Sequence, residues 1–319
     1  MTQIRVAIVG AGYMAHEHAK ALAAQPNVKI VGVVGRRSER AQALARLYGA
    51  TVYNDIASMH AGTQAQAVVV AVNELATRAV CEQIFAFPWT SLIEKPVGID
   101  LQEARAISSL AMERNAKAYV AFNRRSYAAT LAARDQLGEN PNPRLISVLD
   151  QQDIEAAAAS GQPDAVVANY MFANSIHLVD YFTLFGRGTV LAVRNIARWT
   201  PDKPAMVVAS IHFSSGDLGL YQAIWNGPGP WSVTVTNSSV RTELRPLEKL
   251  STQHRGERRL VEIPADPIDT QFKPGLHRQA QQFCLAVRHE NSDLCDLATG
   301  LRSMDLCARI YGLADETAR

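Results

Sequence analysis

A glycine-rich turn near the start of the chain constrains the fold more than any other feature. Gly10-Ala11-Gly12-Tyr13-Met14-Ala15 follows a β-branched run, Ile4–Val9, and opens a helical pattern. In a G-x-G-x-x-A turn, the first glycine permits the tight bend and the second lets a pyrophosphate approach the backbone. The start of a helix also favours anions. The strand before this turn and the helix after it favour a dinucleotide site with contacts from Gly10, Gly12, Tyr13 and Met14; the alternative is a turn of small residues without a ligand.

Short β-branched runs alternate with longer helical patterns over residues 1–121. This alternation is typical of βαβ units, and it predicts a doubly wound parallel sheet of the Rossmann type in an α/β dinucleotide-binding domain. The predicted strands are Ile4–Val9, Val28–Val34, Ala67–Val72, Thr90–Ile93 and Lys117–Ala121. The predicted helices are Met14–Ala24, Glu39–Tyr48, Leu75–Phe85 and Leu101–Arg114.

The pattern changes in residues 122–319, where several strands follow one another. Consecutive strands joined by short turns usually pair antiparallel, so this part predicts an α+β domain with a mostly antiparallel open sheet. The predicted strands are Arg144–Asp150, Val190–Arg198, Ala205–Phe213, Leu218–Trp225, Ser232–Thr236 and Val240–Leu244. Helices are predicted up to Leu137 and over Tyr170–Phe185, Leu276–Arg288 and Asp296–Leu313, with a loop at Ala156–Asp164. The C-terminal helices could pack back on the first domain.

Composition and charge exclude several classes of function. The chain has 319 residues, with 32 Lys and Arg against 30 Asp and Glu, so the formal net charge is only +2. Because the basic residues are dispersed, counterion release favours nucleic-acid binding little, and we expect no nucleic-acid partner. The longest apolar run, Ala67–Val72, has six residues, whereas a membrane-spanning helix needs about 20. We therefore expect no association with a membrane.

The cysteines and the N-terminus indicate a cytoplasmic protein. Cys81, Cys284, Cys295 and Cys307 form no CxxC pair and no cluster at zinc-ligand spacing, so we expect buried thiols and no metal. The apolar run Val6–Ala15 loosely resembles a signal peptide. Its two glycines and the polar residues that follow it favour the strand-turn-helix interpretation instead.

The end of the second predicted strand bears on the choice of cofactor. NAD-binding domains carry Asp or Glu there to accept from the ribose 2′-hydroxyl, but this chain has Gly35-Arg36-Arg37-Ser38. Two guanidiniums and a hydroxyl can bind a 2′-phosphate, which a carboxylate would repel. The sequence therefore favours NADP(H), with Arg36, Arg37 and Ser38 as contacts, and NAD(H) as the alternative. The alternative to a phosphate site is that Arg36, Arg37 and Arg40 form a solvated face of the following helix.

Three further motifs follow the glycine turn in order. Glu94-Lys95-Pro96 closes the strand Thr90–Ile93, at the end where open α/β sheets bind ligands. Ala121-Phe122-Asn123-Arg124-Arg125 opens the second domain, and His177 precedes Asp180 by three residues. With the glycine turn, these motifs resemble the glucose-fructose oxidoreductase, inositol dehydrogenase and MocA (Gfo/Idh/MocA) family over essentially the whole chain.

The resemblance implies hydride transfer between a nicotinamide and a carbinol or ketone carbon of a sugar, polyol or nucleotide sugar. It also implies that the second domain binds substrate and that its open sheet builds a homodimer or homotetramer. If the protein is an enzyme, the alternative activity is reduction of a non-sugar carbonyl or imine. If it is not an enzyme, the alternative is a non-catalytic NADPH-binding sensor or assembly subunit.

The resemblance implies two catalytic residues. Lys95 would hydrogen-bond the reacting oxygen, with Glu94 beside it at the cofactor, and a lowered pKa would suit it to proton transfer. Alternatively, Lys95 pairs with Glu94 or Asp100 at the surface. His177 would shuttle a proton at neutral pH, unless it is a histidine satisfied within the core.

Two positions depart from the family pattern. Relatives often carry an Asp four residues before the histidine, where this chain has Ala173, so a Lys/Asp/His triad is excluded. Asn174 could replace the hydrogen bonding of that acid but not its proton transfer, and Asp180 could orient the imidazole. The turn Val72-Asn73 also replaces a Thr-Pro-Asn pattern against the cofactor, so we expect mainly backbone contacts from it.

The remaining substrate candidates lie at the domain junction. Asn123, Arg124 and Tyr127 could line the substrate cleft together with Asn174 and Asp180. Arg124 could bind a carboxylate or phosphate, or pair structurally with acidic residues. Lys273-Pro274-Gly275 is interpreted as the start of a helix, without a role in the site.

Overall fold

The computed structural model describes residues 3–314. The chain divides into two compact units, Met1–Ser126 with Ile268–Leu301, and Tyr127–Pro267 with Arg302–Arg319. Residues 122–126 and 268–301, which the sequence assigned to the second domain, thus belong to the first unit.

The strands and helices are as follows. The strands are β1 (Ile4–Val9), β2 (Val28–Val34), β3 (Thr51–Tyr53), β4 (Ala67–Val70), β5 (Thr90–Ile93), β6 (Ala118–Val120), β7 (Leu145–Gln152), β8 (Val190–Ala197), β9 (Met206–Phe213), β10 (Leu218–Trp225), β11 (Ser232–Thr236), β12 (Val240–Leu244), β13 (Leu250–His254), β14 (Val261–Ile263) and β15 (Cys295–Asp296). The α-helices are α1 (Tyr13–Ala23), α2 (Ser38–Tyr48), α3 (Ile56–Thr63), α4 (Thr77–Ile84), α5 (Leu101–Glu113), α6 (Ala128–Leu137), α7 (Ile154–Ala159), α8 (Asp164–Ala168), α9 (Ile176–Phe185), α10 (Ile268–Gln271), α11 (Leu276–Val287) and α12 (Leu297–Tyr311).

The first unit is built on a seven-stranded sheet in the order β15-β6-β5-β4-β1-β2-β3. All of its pairs are parallel except β15 with β6, which confirms the predicted Rossmann sheet. Most apolar residues of β1 and β2 are buried, and buried residues of α1 and α11 pack with them in this core. The predicted helix Leu75–Phe85 begins instead with a 3₁₀ turn, Glu74–Ala76, because the Asn73 side chain accepts from the Ala76 N–H.

The second unit contains an eight-stranded sheet in the order β14-β13-β12-β11-β7-β10-β9-β8. Its pairs are antiparallel except β7 with β10, which confirms the mostly antiparallel sheet. β13 and β14 were not predicted. The predicted loop Ala156–Asp164 was wrong at its start, where the alanine-rich α7 runs to Ala159, capped by Asp153.

The predicted helix Tyr170–Phe185 is interrupted by a wider turn. Met171–Ser175 is π-helical, and the α-helical segment α9 begins only at Ile176. The buried rings of α9 pack on the sheet, where Phe182 lies 6.4 Å from Tyr221 between ring centroids. Such π-helical turns concentrate at functional sites.

Two kinds of feature are absent from residues 3–314. None of the helices in that range combines the length and apolar character needed to cross a bilayer. In the same range no three His, Cys, Asp or Glu side chains are grouped so that they could hold a metal ion. All four cysteines are buried.

Candidate active site

The glycine turn has the geometry that a dinucleotide requires. Gly10 has φ of 118°, and a Cβ there would lie 2.0 Å from the Ala71 carbonyl oxygen, so no other residue fits without backbone movement. At Gly12 a Cβ would meet nothing within 4 Å, which leaves open space in front of α1. The first turn of α1 has no side-chain cap and no acidic residue. Its N–H groups therefore fit a pyrophosphate.

The two residues after Gly12 lie differently. Tyr13 is 65% exposed, and the Lys273 Nζ lies 5.3 Å from its ring centroid. Met14 packs against both hydrophobic clusters of the sheet. Tyr13 is therefore the side chain of this pair that remains accessible to a ligand.

The carboxyl end of β2 presents two guanidiniums to solvent. Arg36, Arg37 and Ser38 are all exposed at the junction of β2 and α2. Arg37 is the N-cap residue of α2 and makes no side-chain cap. The arrangement leaves these side chains free to reach a phosphate at the end of β2.

The turn after β4 is held by its own polar side chain. The Asn73 Oδ1 accepts from the Ala76 N–H at 3.1 Å, and Val72 is half-buried. The Asn73 Oδ1 is thus used by the 3₁₀ turn, which leaves its Nδ2 and the backbone groups of the turn as possible contacts for a cofactor.

Lys95 lies directly after β5 and is joined to α1 through Glu94. The Glu94 Oε1 accepts from the buried His18 ring at 2.7 Å, and Oε2 accepts from the Lys95 backbone N–H at 3.2 Å. His18 lies on the helix that the glycine turn opens. Glu94 therefore fixes the backbone of Lys95 relative to that turn.

Several charges act on the Lys95 ammonium. Burial lowers the pKa of Lys95 below its usual range, and the Glu94 carboxylate opposes this. The Arg124 and Lys273 cations lower the pKa further, whereas Glu74 raises it. A lysine with a lowered pKa at the carboxyl end of a strand is suited to proton transfer.

Sequence patterns did not identify His18 or Lys273 as parts of the site. Lys273 begins the predicted Lys273-Pro274-Gly275 helix start, but its charge acts on Lys95 and it contacts Tyr13. The Asn123 Nδ2 donates to the Pro274 carbonyl at 3.0 Å, and so holds this segment. A lysine beside the glycine turn from 260 residues away along the chain has no local sequence signal.

The remaining candidates belong to the second unit. His177 is buried on α9, just after the π-helical turn that contains Ala173 and Asn174. Asp180 accepts from the Ser303 hydroxyl at 2.7 Å, and so joins α9 to α12. Tyr127 is buried at the start of α6.

Comparison with known proteins identifies a related family. Residues 4–122 match the Gfo/Idh/MocA model, described as "Oxidoreductase family, NAD-binding Rossmann fold". Inositol 2-dehydrogenase of Rhizobium meliloti is 27% identical over 136 residues, 43% of this chain and 41% of that protein. The match thus spans less than half of that relative's length.

Solved structures share the fold over nearly the whole chain. UDP-N-acetylglucosamine 3-dehydrogenase from Acidithiobacillus ferrooxidans is 20% identical with a TM-score of 0.78, covering 98% of this chain and 99% of that one. A levoglucosan dehydrogenase in complex with NADH is 16% identical with a TM-score of 0.82, covering 98% and 97%.

Proposed function

We propose that this chain is an NAD-binding oxidoreductase of the Gfo/Idh/MocA family, whose model residues 4–122 match, and that it catalyses hydride transfer on a sugar-like substrate. The hydride passes between a nicotinamide and a carbinol or ketone carbon of a sugar, polyol or nucleotide sugar. Lys95 carries the proposal, since its pKa is lowered at the end of β5 and Glu94 fixes its backbone beside the glycine turn.

Two side chains of this chain move the proton. A bound nicotinamide supplies the hydride chemistry. In carbinol oxidation the C–H bond breaks with its electron pair as hydride, and the O–H proton passes to the neutral Lys95 Nζ. His177, on α9, is the second residue to which we assign proton transfer. Reduction runs through the same groups in reverse.

The test is a substrate panel followed by the absorbance of the reduced nicotinamide. Sugars, polyols and nucleotide sugars are assayed beside non-sugar ketones and imines. Turnover confined to the hydroxylated compounds supports the proposal. Turnover confined to the non-sugar compounds supports the alternative reductase.

A second candidate is a non-catalytic NADPH-binding sensor or assembly subunit. Ala173 favours it, because alanine stands where relatives often have an acid. NADPH binding without turnover of any panel compound supports the sensor. Turnover that is lost in Lys95→Ala excludes it.

We also propose that the cofactor is NADP(H). Arg36 and Arg37 are exposed at the end of β2, where a guanidinium can pair with a 2′-phosphate in two parallel hydrogen bonds. Arg36→Ala and Arg37→Ala are each expected to weaken NADPH binding by about ten- to a hundred-fold, roughly 1.5–3 kcal/mol. NADH binding changes little, because it lacks the phosphate. Calorimetry with both cofactors measures the difference.

Arg40→Ala is the matched control, since Arg40 is also exposed but lies within α2. Its NADPH affinity should stay at the wild-type value. Equal loss of NADH and NADPH affinity in Arg36→Ala and Arg37→Ala would assign these arginines a general role in stability and would remove the argument for NADP(H).

The outer face of the second unit's sheet supports a homodimer or homotetramer. Ile224 lies between Met206 and Gln151 on adjacent strands, and Met206 and Ile224 are exposed. Leu145 and Leu218, paired on the same face, are exposed as well. Contiguous exposed apolar residues mark contact surfaces.

Ile224→Asp is expected to reduce the molar mass measured by light scattering to that of a smaller assembly, because an aspartate in an apolar interface loses its hydration. Leu47→Asp is the control, since Leu47 is 67% exposed on α2 in the first unit. An unchanged mass for both variants would place any interface elsewhere.

A further inference from the structure

A buried carboxylate lies under the π-helical turn of the second unit. Asp150 on β7 is 2% exposed. Its Oδ2 accepts from the Tyr221 hydroxyl at 2.6 Å, and its Oδ1 accepts from the Gln152 Nε2 at 2.7 Å. Burial raises the pKa of Asp150, while these neutral donors oppose the rise. A buried carboxylate is retained at such a position only when its hydrogen bonds are satisfied.

One arm of hydrogen bonds runs from Asp150 through two tyrosines. The Tyr221 and Tyr311 hydroxyl oxygens are 2.8 Å apart. The Tyr311 hydroxyl in turn lies 3.1 Å from the Ser175 Oγ. This arm therefore ends at the last residue of the π-helical turn Met171–Ser175.

The other arm runs from Asp150 through two amides. Because Gln152 donates its Nε2 to Asp150, its Oε1 faces away and accepts from the Asn174 Nδ2 at 2.7 Å. This direction does not depend on the protonation state of Asp150, since Oδ1 accepts whether the group is a carboxylate or an acid protonated on Oδ2. The Asp150 carboxyl group thus sets the orientation of the Asn174 amide through Gln152: Nδ2 binds Gln152, and Oδ1 is the other end of the amide.

The two arms of hydrogen bonds end at neighbouring residues of the chain, Asn174 and Ser175. Asn174 is half-buried, and with Nδ2 bonded to Gln152 it has Oδ1 as its remaining acceptor. It lies three residues before His177, and one residue after the alanine that replaces the acid of relatives. An acceptor is therefore held in a fixed orientation close to the catalytic histidine in the chain.

We propose that Asp150 and Gln152 are positioning residues that orient the Asn174 amide, and that Asn174 Oδ1 is a specificity determinant that accepts a hydrogen bond from a substrate hydroxyl. This inference rests on the proposed function. The ligand it selects is a polyhydroxylated substrate that offers a hydroxyl to this acceptor. An analogue without that hydroxyl leaves the acceptor unpaired.

The test compares single and double variants with the best hydroxylated substrate of the panel. Asn174→Leu removes the acceptor and is expected to raise KM about tenfold with little change in kcat. Gln152→Leu leaves Asn174 present but free to rotate, so KM should rise by about three- to tenfold. Because Gln152 acts through Asn174, the double variant should be no worse than Asn174→Leu alone.

Three controls separate a positioning role from an effect on folding. Gln151→Leu changes the neighbouring side chain on the opposite face of β7 and should leave KM unchanged. Each variant should also keep the wild-type NADPH affinity, whose site lies in the first unit. The deoxy analogue should show the same kcat/KM in wild type and Asn174→Leu.

The outcomes are distinct. A KM that does not change in Asn174→Leu, or effects of Gln152→Leu and Asn174→Leu that multiply in the double variant, would overturn this inference while hydride transfer stands. Absence of wild-type turnover with every panel compound would overturn the proposed function instead.

Discussion

Lys95→Ala is expected to lower kcat for hydride transfer by about 10²–10⁴-fold, the usual contribution of general acid–base assistance. Affinity for the nicotinamide cofactor should change little, because the phosphate contacts that we propose lie at the glycine turn and at the end of β2. Steady-state kinetics and calorimetry measure the two quantities. Lys29→Ala, at an exposed position on β2, is the control and should keep wild-type turnover.

The pH dependence supplies a second readout for Lys95. Burial depresses its pKa below the ordinary value of 10.5, so carbinol oxidation should rise with pH through a midpoint below that value. Lys273→Met removes a cation that lowers this pKa, so the midpoint should move to higher pH. Lys95→Arg keeps the charge but stays protonated, and should remain as slow as Lys95→Ala. Wild-type kcat in Lys95→Ala would assign the proton to another group.

Much of the fold follows from local sequence patterns. β1, β2 and β5 have their predicted bounds, because continuous β-branched runs between glycine or polar turns leave little choice of register. β13 was missed, since within Leu250–His254 only Leu250 is apolar and the four polar residues after it resemble a loop. The short helix α3 was missed for a similar reason: its sequence, Ile56–Thr63, mixes glycine and small polar residues.

The candidate site likewise contains some residues that local sequence patterns predict and others that they do not. The glycine turn, Lys95 and His177 stand in motifs of adjacent residues, so the sequence could name them as candidates. The His18–Glu94 contact joins residues 76 apart, and the Gln152–Asn174 contact joins residues 22 apart. Such contacts depend on how strands and helices pack, and no local pattern encodes them. Asp180 accepts from the Ser303 hydroxyl, and its expected role in orienting His177 stays a prediction.

His177→Ala should lower kcat by about 10²–10⁴-fold with nearly unchanged NADPH affinity, because the imidazole shuttles the proton. His177 lies on α9, away from the glycine turn in the sequence, so cofactor binding serves as the test of folding. His254→Ala is the control, since His254 is exposed on β13. Turnover close to wild type in His177→Ala would make the imidazole a packing residue and leave Lys95 or water to carry the proton.

Ala173→Asp tests the same role from the opposite direction. Ala173 lies in the π-helical turn, four residues before His177, at the position where relatives often carry an acid. A carboxylate there favours the imidazolium through opposite-charge attraction, so it should raise the pKa of His177. The acid limb of the pH–rate profile should then move to higher pH, and an NMR titration of the imidazole should move with it. If the limb moves while the imidazole titration does not, the group that titrates in catalysis is not His177.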